Sequence, residues 1–264
     1  MRIYAHRGIS DAYPENSESA IKEAFNRGFD VELDIRFTAD KKIVIMHDSN
    51  LVRLCGINKN ITELSSKEIS KYPFFLSTTD ETPFFLNELA VFLKRNKSYS
   101  NIAVHFKQKD QNHENCLIVS ELFEKYNLYD NCFLFNLSLE MCTFFRRENP
   151  KMKIAVVVSD KKFEPFVYLF SEVKNRSDLF DIIWAAEYKK LYEAHFFSEV
   201  SELGKEIIAI SPDLHRKLNH PDALNGYQKS WYKFFEHNIS GVCTDHPSEF
   251  LQFLLSRRNY GNYL

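Results

Sequence analysis

Eight short apolar runs, each followed by a stretch with helical spacing, constrain this chain more than any other feature. The runs are RIYAH (2–6), FDVELDI (29–35), NIAVHF (101–106), NCFLF (131–135), MKIAVVV (152–158), FDIIWAA (180–186), EIIAIS (206–211) and ISGVCT (239–244). Most are apolar on both faces, the pattern of strands covered on both sides in a parallel sheet. Helical spacing marks 16–28, 86–96, 114–127, 138–149, 189–204 and 247–258, with a less regular helical stretch at 160–178. Strict strand–helix alternation predicts an α/β fold, a TIM (β/α)8 barrel, formed by 1–264 as one domain. KIVIMH (42–47) reads as a small extra strand. Residues 48–85 break the alternation after strand 2 and read as an insertion over the barrel mouth, and 212–230 as a second long connection.

Charge and cysteine usage exclude several classes. Thirty-four basic residues balance 36 acidic ones without a basic stripe, so nucleic acid is not an expected partner. No apolar run reaches the roughly 18 residues of a membrane span, and the opening MRIYAHRG enters a strand directly, so stable membrane insertion is not expected and a cytoplasmic location is. Five dispersed cysteines with no CxxC pair point to reduced thiols used as small core residues. The sequence carries no signal for an oligomeric state.

Polar groups interrupt the apolar runs near strand ends, where barrels place their chemistry. Strand 1 ends in His6 and Arg7. Glu32 and Asp34 are two apart on strand 2 and share a face, as do His105 and Lys107 on strand 3. His47 and Asp48 end the extra strand. Two carboxylates together in an apolar strand need a positive partner, which Lys107, Arg7 or a divalent cation would supply. Taken alone, an ExD pair is more often a salt-bridged pair, and PEN before a helix is explained by Asn16 as an N-cap.

In combination, AHRG (5–8), residues 14–48 from PENSES to MHD, LVR (51–53), TPFFLNELAVFL (82–93) and GVCTDHPSEF (241–250) resemble the glycerophosphodiester phosphodiesterase family. The resemblance is dense over the first 55 residues and thin from about 110 to 235. It implies a TIM barrel with an insertion after strand 2, and metal-dependent hydrolysis of glycerophosphodiesters to an alcohol and glycerol 3-phosphate. It implies His6 and His47 as the acid/base pair, Arg7 and Lys107 as phosphate ligands, Glu32 and Asp34 as metal ligands, and Glu15 as support for Arg7. The expected cofactor is Mg2+ or Ca2+ and the expected partner a small phosphodiester. Alternatives are a lyase that releases a cyclic phosphate and a silent binder of phosphate ligands.

The family usually carries a Glu two residues before the strand-3 lysine; here that residue is His105. As a ligand it would give the site two carboxylates and an imidazole, which suits Zn2+ or Mn2+ better than ions that prefer oxygen alone. Glu187 and Asp213 are the other acidic residues near strand ends, each read as a loop or salt-bridge residue. His215 and His220 are expected at the surface. The aromatic stretch 72–85 is read as packing of the insertion, with an apolar wall for the leaving alcohol as the alternative.

Overall fold

The computed structural model describes residues 1–75, 77, 80–96 and 100–261. The fold is a (β/α)8 TIM barrel, with parallel strands β1 (Arg2–His6), β2 (Asp30–Phe37), β3 (Ile102–Phe106), β4 (Cys132–Phe135), β5 (Ile154–Ser159), β6 (Ile182–Ala186), β7 (Glu206–Ile210) and β8 (Gly241–Thr244). They belong to two compact units, Met1–Ala5 with Ala155–Leu264, and His6–Ile154.

In the first unit the strand order is β1, β8, β7, β6, β5, all parallel. Its core holds the edge-to-face pair Tyr4 and Trp184, 5.6 Å between centroids. Gly241 leaves room for Tyr4, whose ring carbon lies 3.0 Å from where a Cβ would stand. Asp213 is buried, accepting from Thr244 Oγ1 at 3.0 Å and Asp245 N–H at 2.8 Å. Glu187 pairs with Lys233 and accepts the Tyr192 N–H. Asp213 is thus tied to the end of β8, and Glu187 to the helix Tyr227–Glu236 and its own loop.

Three expectations fail in this unit. His215 and His220 are buried, at 7% and 8% exposure, packed on the Tyr188 ring. Stacking and a 2.6 Å bond between His220 Nε2 and the Glu187 carbonyl give them an interior role that a loop pattern conceals. The stretch 160–178 contains only a four-residue α-helix, Phe170–Val173, followed by a 3-10 segment; Pro165 and the left-handed Phe166 (φ 64°) interrupt it. The connection 212–230 holds the start of an unforeseen helix, Tyr227–Glu236, which buries Trp231 and Phe234. Its aromatic residues are modest helix formers, and burial overrides their propensity.

In the second unit β4, β3 and β2 run parallel, and Ile43–Ile45 pairs antiparallel with β2. Helix α1 (Glu18–Asn26) buries Ala20, Ile21 and Ala24. Its N-cap is Ser17, whose Oγ accepts the Ala20 N–H at 3.1 Å, so Asn16 is not the cap. Gly8 (φ 82°) allows the close approach of α1, because a Cβ there would sit 2.5 Å from the Ala20 carbonyl carbon. The described residues of the insertion after β2 include a hairpin of Asn50–Leu51 and Ile57–Asn60, a turn of helix at Val52–Cys55, and further short helical pieces. Its buried side chains Leu51, Ile61, Leu64, Ile69 and Phe74 cluster with Val44, Met46 and Phe85. At roughly 1.5–3 kcal/mol per buried large apolar side chain, this cluster fixes the insertion beside the Ile43–Ile45 strand. Stretch 72–85 is accordingly packing, with Phe74, Phe84 and Phe85 buried; Leu76, Thr78 and Thr79 lie outside the described residues. All five cysteines are buried as thiols.

Candidate active site

Strand register assembles the site. In the β2–β3 pair, Asp34 lies opposite His105 and Glu32 opposite Ala103. Alternation turns Val31, Leu33 and Ile35 to one face of β2 and Glu32 and Asp34 to the other, and both faces are buried. Glu32 is 2% exposed and Asp34 1%.

Asp34 is the centre of the charge arrangement. Its Oδ1 lies 2.8 Å from Lys107 Nζ and 3.0 Å from His105 Nδ1. Its Oδ2 lies 3.1 Å from Arg7 Nε and accepts from Asn16 Nδ2 at 2.9 Å, while Asn16 Oδ1 accepts the Asp34 N–H at 3.2 Å. Burial alone would raise this carboxyl; Lys107 and Arg7 overcome it and hold Asp34 well below the usual range. Asn16 is therefore a side-chain partner of the site, reaching it from a left-handed backbone (φ 61°).

Glu32 has the opposite environment. Its Oε2 is buried without a hydrogen-bond partner, 3.8 Å from His6 Nε2, and its Oε1 lies 3.8 Å from His105 Nδ1. Burial and the charge of Asp34 push its carboxyl up to about 7, with only partial relief from His6, Arg7 and Lys107. His105 is pushed down to about 3, by burial first and then by Lys107, so its imidazole is neutral. Glu32, Asp34 and His105 each offer one ligand atom, all within 4.8 Å of one another. An orphaned buried carboxylate oxygen beside a neutral imidazole is a donor set that fits a divalent cation.

Around this group runs a chain of opposite charges. Arg7 Nη1 donates to Glu15 Oε1 at 2.8 Å, and Arg53 grips both oxygens of Glu15 at 2.7 and 2.8 Å. Arg53 Nε donates to Asp48 Oδ2 at 2.7 Å, and Asp48 Oδ1 lies 2.8 Å from His47 Nδ1. The His47 contact first, and then Arg53, depress the Asp48 carboxyl against the opposing effect of burial. Arg36 holds the His47 carbonyl with Nε at 3.0 Å and Nη2 at 2.7 Å, and is itself paired with buried Asp110 at 3.0 Å. Every sequence-predicted site residue thus falls within one connected set in the second unit. Sequence reasoning missed Arg53, Arg36, Asp110 and Asn16; the Arg two residues beyond Asp34 on the same β2 face was a readable signal.

Arg53 links the insertion to His47, so its loss should be felt there. We expect Arg53→Ala to lower kcat roughly tenfold with KM nearly unchanged, and Arg53→Lys to recover only part, since one ammonium cannot span Glu15 and Asp48 as a fork does. Steady-state kinetics on the three proteins checks this; a loss confined to KM would show that Arg53 acts on substrate binding instead.

The sequence model of the glycerophosphoryl diester phosphodiesterase family matches residues 6–249. A Bacillus altitudinis glycerophosphodiester phosphodiesterase is 25% identical over 174 residues, 64% of this chain and 71% of the relative. The Homo sapiens lysophospholipase D GDPD1 is 26% identical over 271 residues, 95% of this chain and 85% of the relative. Among solved structures, an Oleispira antarctica phosphodiesterase in complex with the product sn-glycerol-3-phosphate superposes with a TM-score of 0.72 at 16% identity, covering 96% of each chain. A Parabacteroides distasonis glycerophosphodiester phosphodiesterase gives 0.71 at 20% identity, covering 97% of this chain and 98% of that one.

Proposed function

The chain belongs to the glycerophosphoryl diester phosphodiesterase family, and from that premise we propose that it hydrolyses glycerophosphodiesters to an alcohol and glycerol 3-phosphate with a divalent cation and two histidines. The observation that carries this reading is the Glu32, Asp34 and His105 cluster flanked by Arg7 and Lys107. A phosphodiester is an anion whose transition state spreads charge over the phosphoryl oxygens, and two fixed cations beside an acidic cluster suit it. Glu32, Asp34 and His105 would hold the ion; when bound it would supply Lewis-acid stabilisation of the phosphoryl oxygens. Arg7 is held in place by Glu15 and Asp34, and Lys107 by Asp34, so both meet an incoming phosphate without reorganising. With its Nδ1 against Asp48, His47 presents Nε2 for proton transfer. His6, at the end of β1, stands beside Glu32 and serves as the second proton carrier.

The imidazole at 105 favours an ion that accepts nitrogen, so Mn2+ or Zn2+ should support turnover better than Ca2+. The test is a panel of glycerophosphodiesters assayed with Mg2+, Ca2+, Mn2+ and Zn2+, with products followed by phosphorus NMR. Turnover should vanish in chelator and return with Mn2+ or Zn2+. Full turnover in chelator would end the metal reading, and a cyclic phosphate as the final product would make the enzyme a lyase. The same imidazole favours one second reading, a phosphate-ligand binder without turnover; it would show as glycerol 3-phosphate binding with no hydrolysis under any of the four ions.

A further inference from the structure

A histidine in the metal cluster brings a requirement that a carboxylate does not. Only one ring nitrogen can offer a lone pair to a cation, and the other must carry its proton to an acceptor. Resting on the metal reading above, we propose that Asn136 is a positioning residue: its amide oxygen accepts the Nε2–H of His105, so that Nδ1 turns its lone pair toward the cation held by Glu32 and Asp34.

The geometry on both sides of the ring supports this. The Asn136 amide lies 2.9 Å from His105 Nε2. The two ends of an amide are interchangeable in shape, and hydrogen-bond logic decides which one faces a partner. With nitrogen toward the ring, Asn136 Oδ1 is buried and accepts from nothing. An Nε2–H would give it a donor. On the far side, Lys107 Nζ lies 3.2 Å from Nδ1. An ammonium only donates, so a proton on Nδ1 would set donor against donor, whereas a lone pair there accepts. Asn136 and Lys107 thus favour the same tautomer, whereas the Asp34 carboxylate, which only accepts, favours a proton on Nδ1 until a cation displaces that proton and leaves the lone pair. That lone pair faces Asp34 Oδ1 at 3.0 Å and Glu32 Oε1 at 3.8 Å, the two carboxylates of the cluster.

The ring and the amide are also fixed in place. His105 stacks on Phe135 of the adjacent strand, 4.7 Å between centroids, and the two residues are register partners. Asn136 follows Phe135 in a left-handed conformation (φ 62°), which asparagine adopts readily. Gln111 Nε2 donates to the Asn136 carbonyl at 2.8 Å and to the Phe106 carbonyl at 2.8 Å, tying the ends of β3 and β4 together.

The test titrates Mn2+ and Zn2+ by calorimetry into wild type, Asn136→Gly, Asn136→Asp, His105→Glu and the Asn136→Gly/His105→Glu double variant. Gly and Asp both tolerate the left-handed backbone. Asn136→Gly should weaken Kd by about 10–100-fold. Asn136→Asp, whose oxygens can only accept, should bind at least as tightly as wild type. In the His105→Glu background, Asn136→Gly should change nothing, because there is no ring to orient. Nitrogen-15 shifts of the His105 ring in the Zn2+-loaded protein should report the Nε2–H tautomer with Nδ1 free of its proton. Wild-type affinity in Asn136→Gly, or an Nδ1–H ring, overturns the inference while leaving the metal reading intact. Failure of every form, His105→Glu included, to bind either ion overturns both.

Discussion

Replacing Glu32 with glutamine is expected to stabilise the metal-free protein at pH 7.5 by roughly 2–3 kcal/mol and to lower turnover about a thousandfold. Glu32 is 2% exposed and its Oε2 has no hydrogen-bond partner. Burial, then Asp34, raise its carboxyl from 4.5 to about 7. A carboxyl that binds its proton more tightly folded than unfolded contributes its full stability below the unfolded value and loses it as pH rises through the folded one. For Glu32 that window runs from about 4.5 to about 7, so at pH 7.5 the folded state bears the whole cost of the buried charge. Glutamine copies the protonated form and removes the cost, together with this part of the pH dependence. Asp34 behaves oppositely: its depressed carboxyl contributes stability above about 3.8 that is lost on acidification, so Asp34→Asn should destabilise. Turnover falls in the Glu32 variant because the cation loses a charged ligand. Thermal unfolding in chelator at pH 5 and 7.5, with kcat in Mn2+, measures both effects. A glutamine variant that melts below wild type at pH 7.5, or retains turnover, would defeat the claim that this charge is kept for function at a cost in stability.

The barrel was legible because its evidence is local. Continuous apolar strands such as IAVVVS and alternating helices are read from neighbours in sequence. The neighbouring carboxylates Glu32 and Asp34 were legible for the same reason, since i and i+2 share a strand face. What the sequence concealed depends on partners far along the chain. Asn16 reads as a cap but meets Asp34, 18 residues away, because the left-handed turn at Arg7 and Asn16 folds the segment back. Arg53 grips Asp48 five residues away and Glu15 38 residues away, and only the folded insertion brings them together. Asn136 carries no motif; register alone places it beside His105. His215 and His220 look like surface loop residues, and their burial depends on Tyr188 from another loop. The chemistry-bearing residues were thus visible, and, Glu15 apart, the side chains that orient them were not.

Removing either histidine should cost about 10^2- to 10^4-fold in kcat, the range of a lost general acid or base. The two losses should differ in what relieves them. His47 is oriented like a proton shuttle: Nδ1 faces Asp48 at 2.8 Å, Arg53 fixes Asp48, and Arg36 holds the His47 backbone carbonyl. His6 stands 3.8 Å from the Glu32 oxygen, beside the proposed ion. One must carry a proton to the leaving alcohol and the other take one from the attacking oxygen. A glycerophosphoaryl diester, whose weakly basic leaving group departs without protonation, bypasses the acid. It should therefore restore most of the activity of one alanine variant, His6→Ala or His47→Ala, and leave the other impaired. The double variant should be little worse than the more damaged single one, because two halves of one proton relay do not add. Equal rescue of both variants, or of neither, would mean that the histidines do not divide the acid and base roles, and that their place in the site is to bind phosphate.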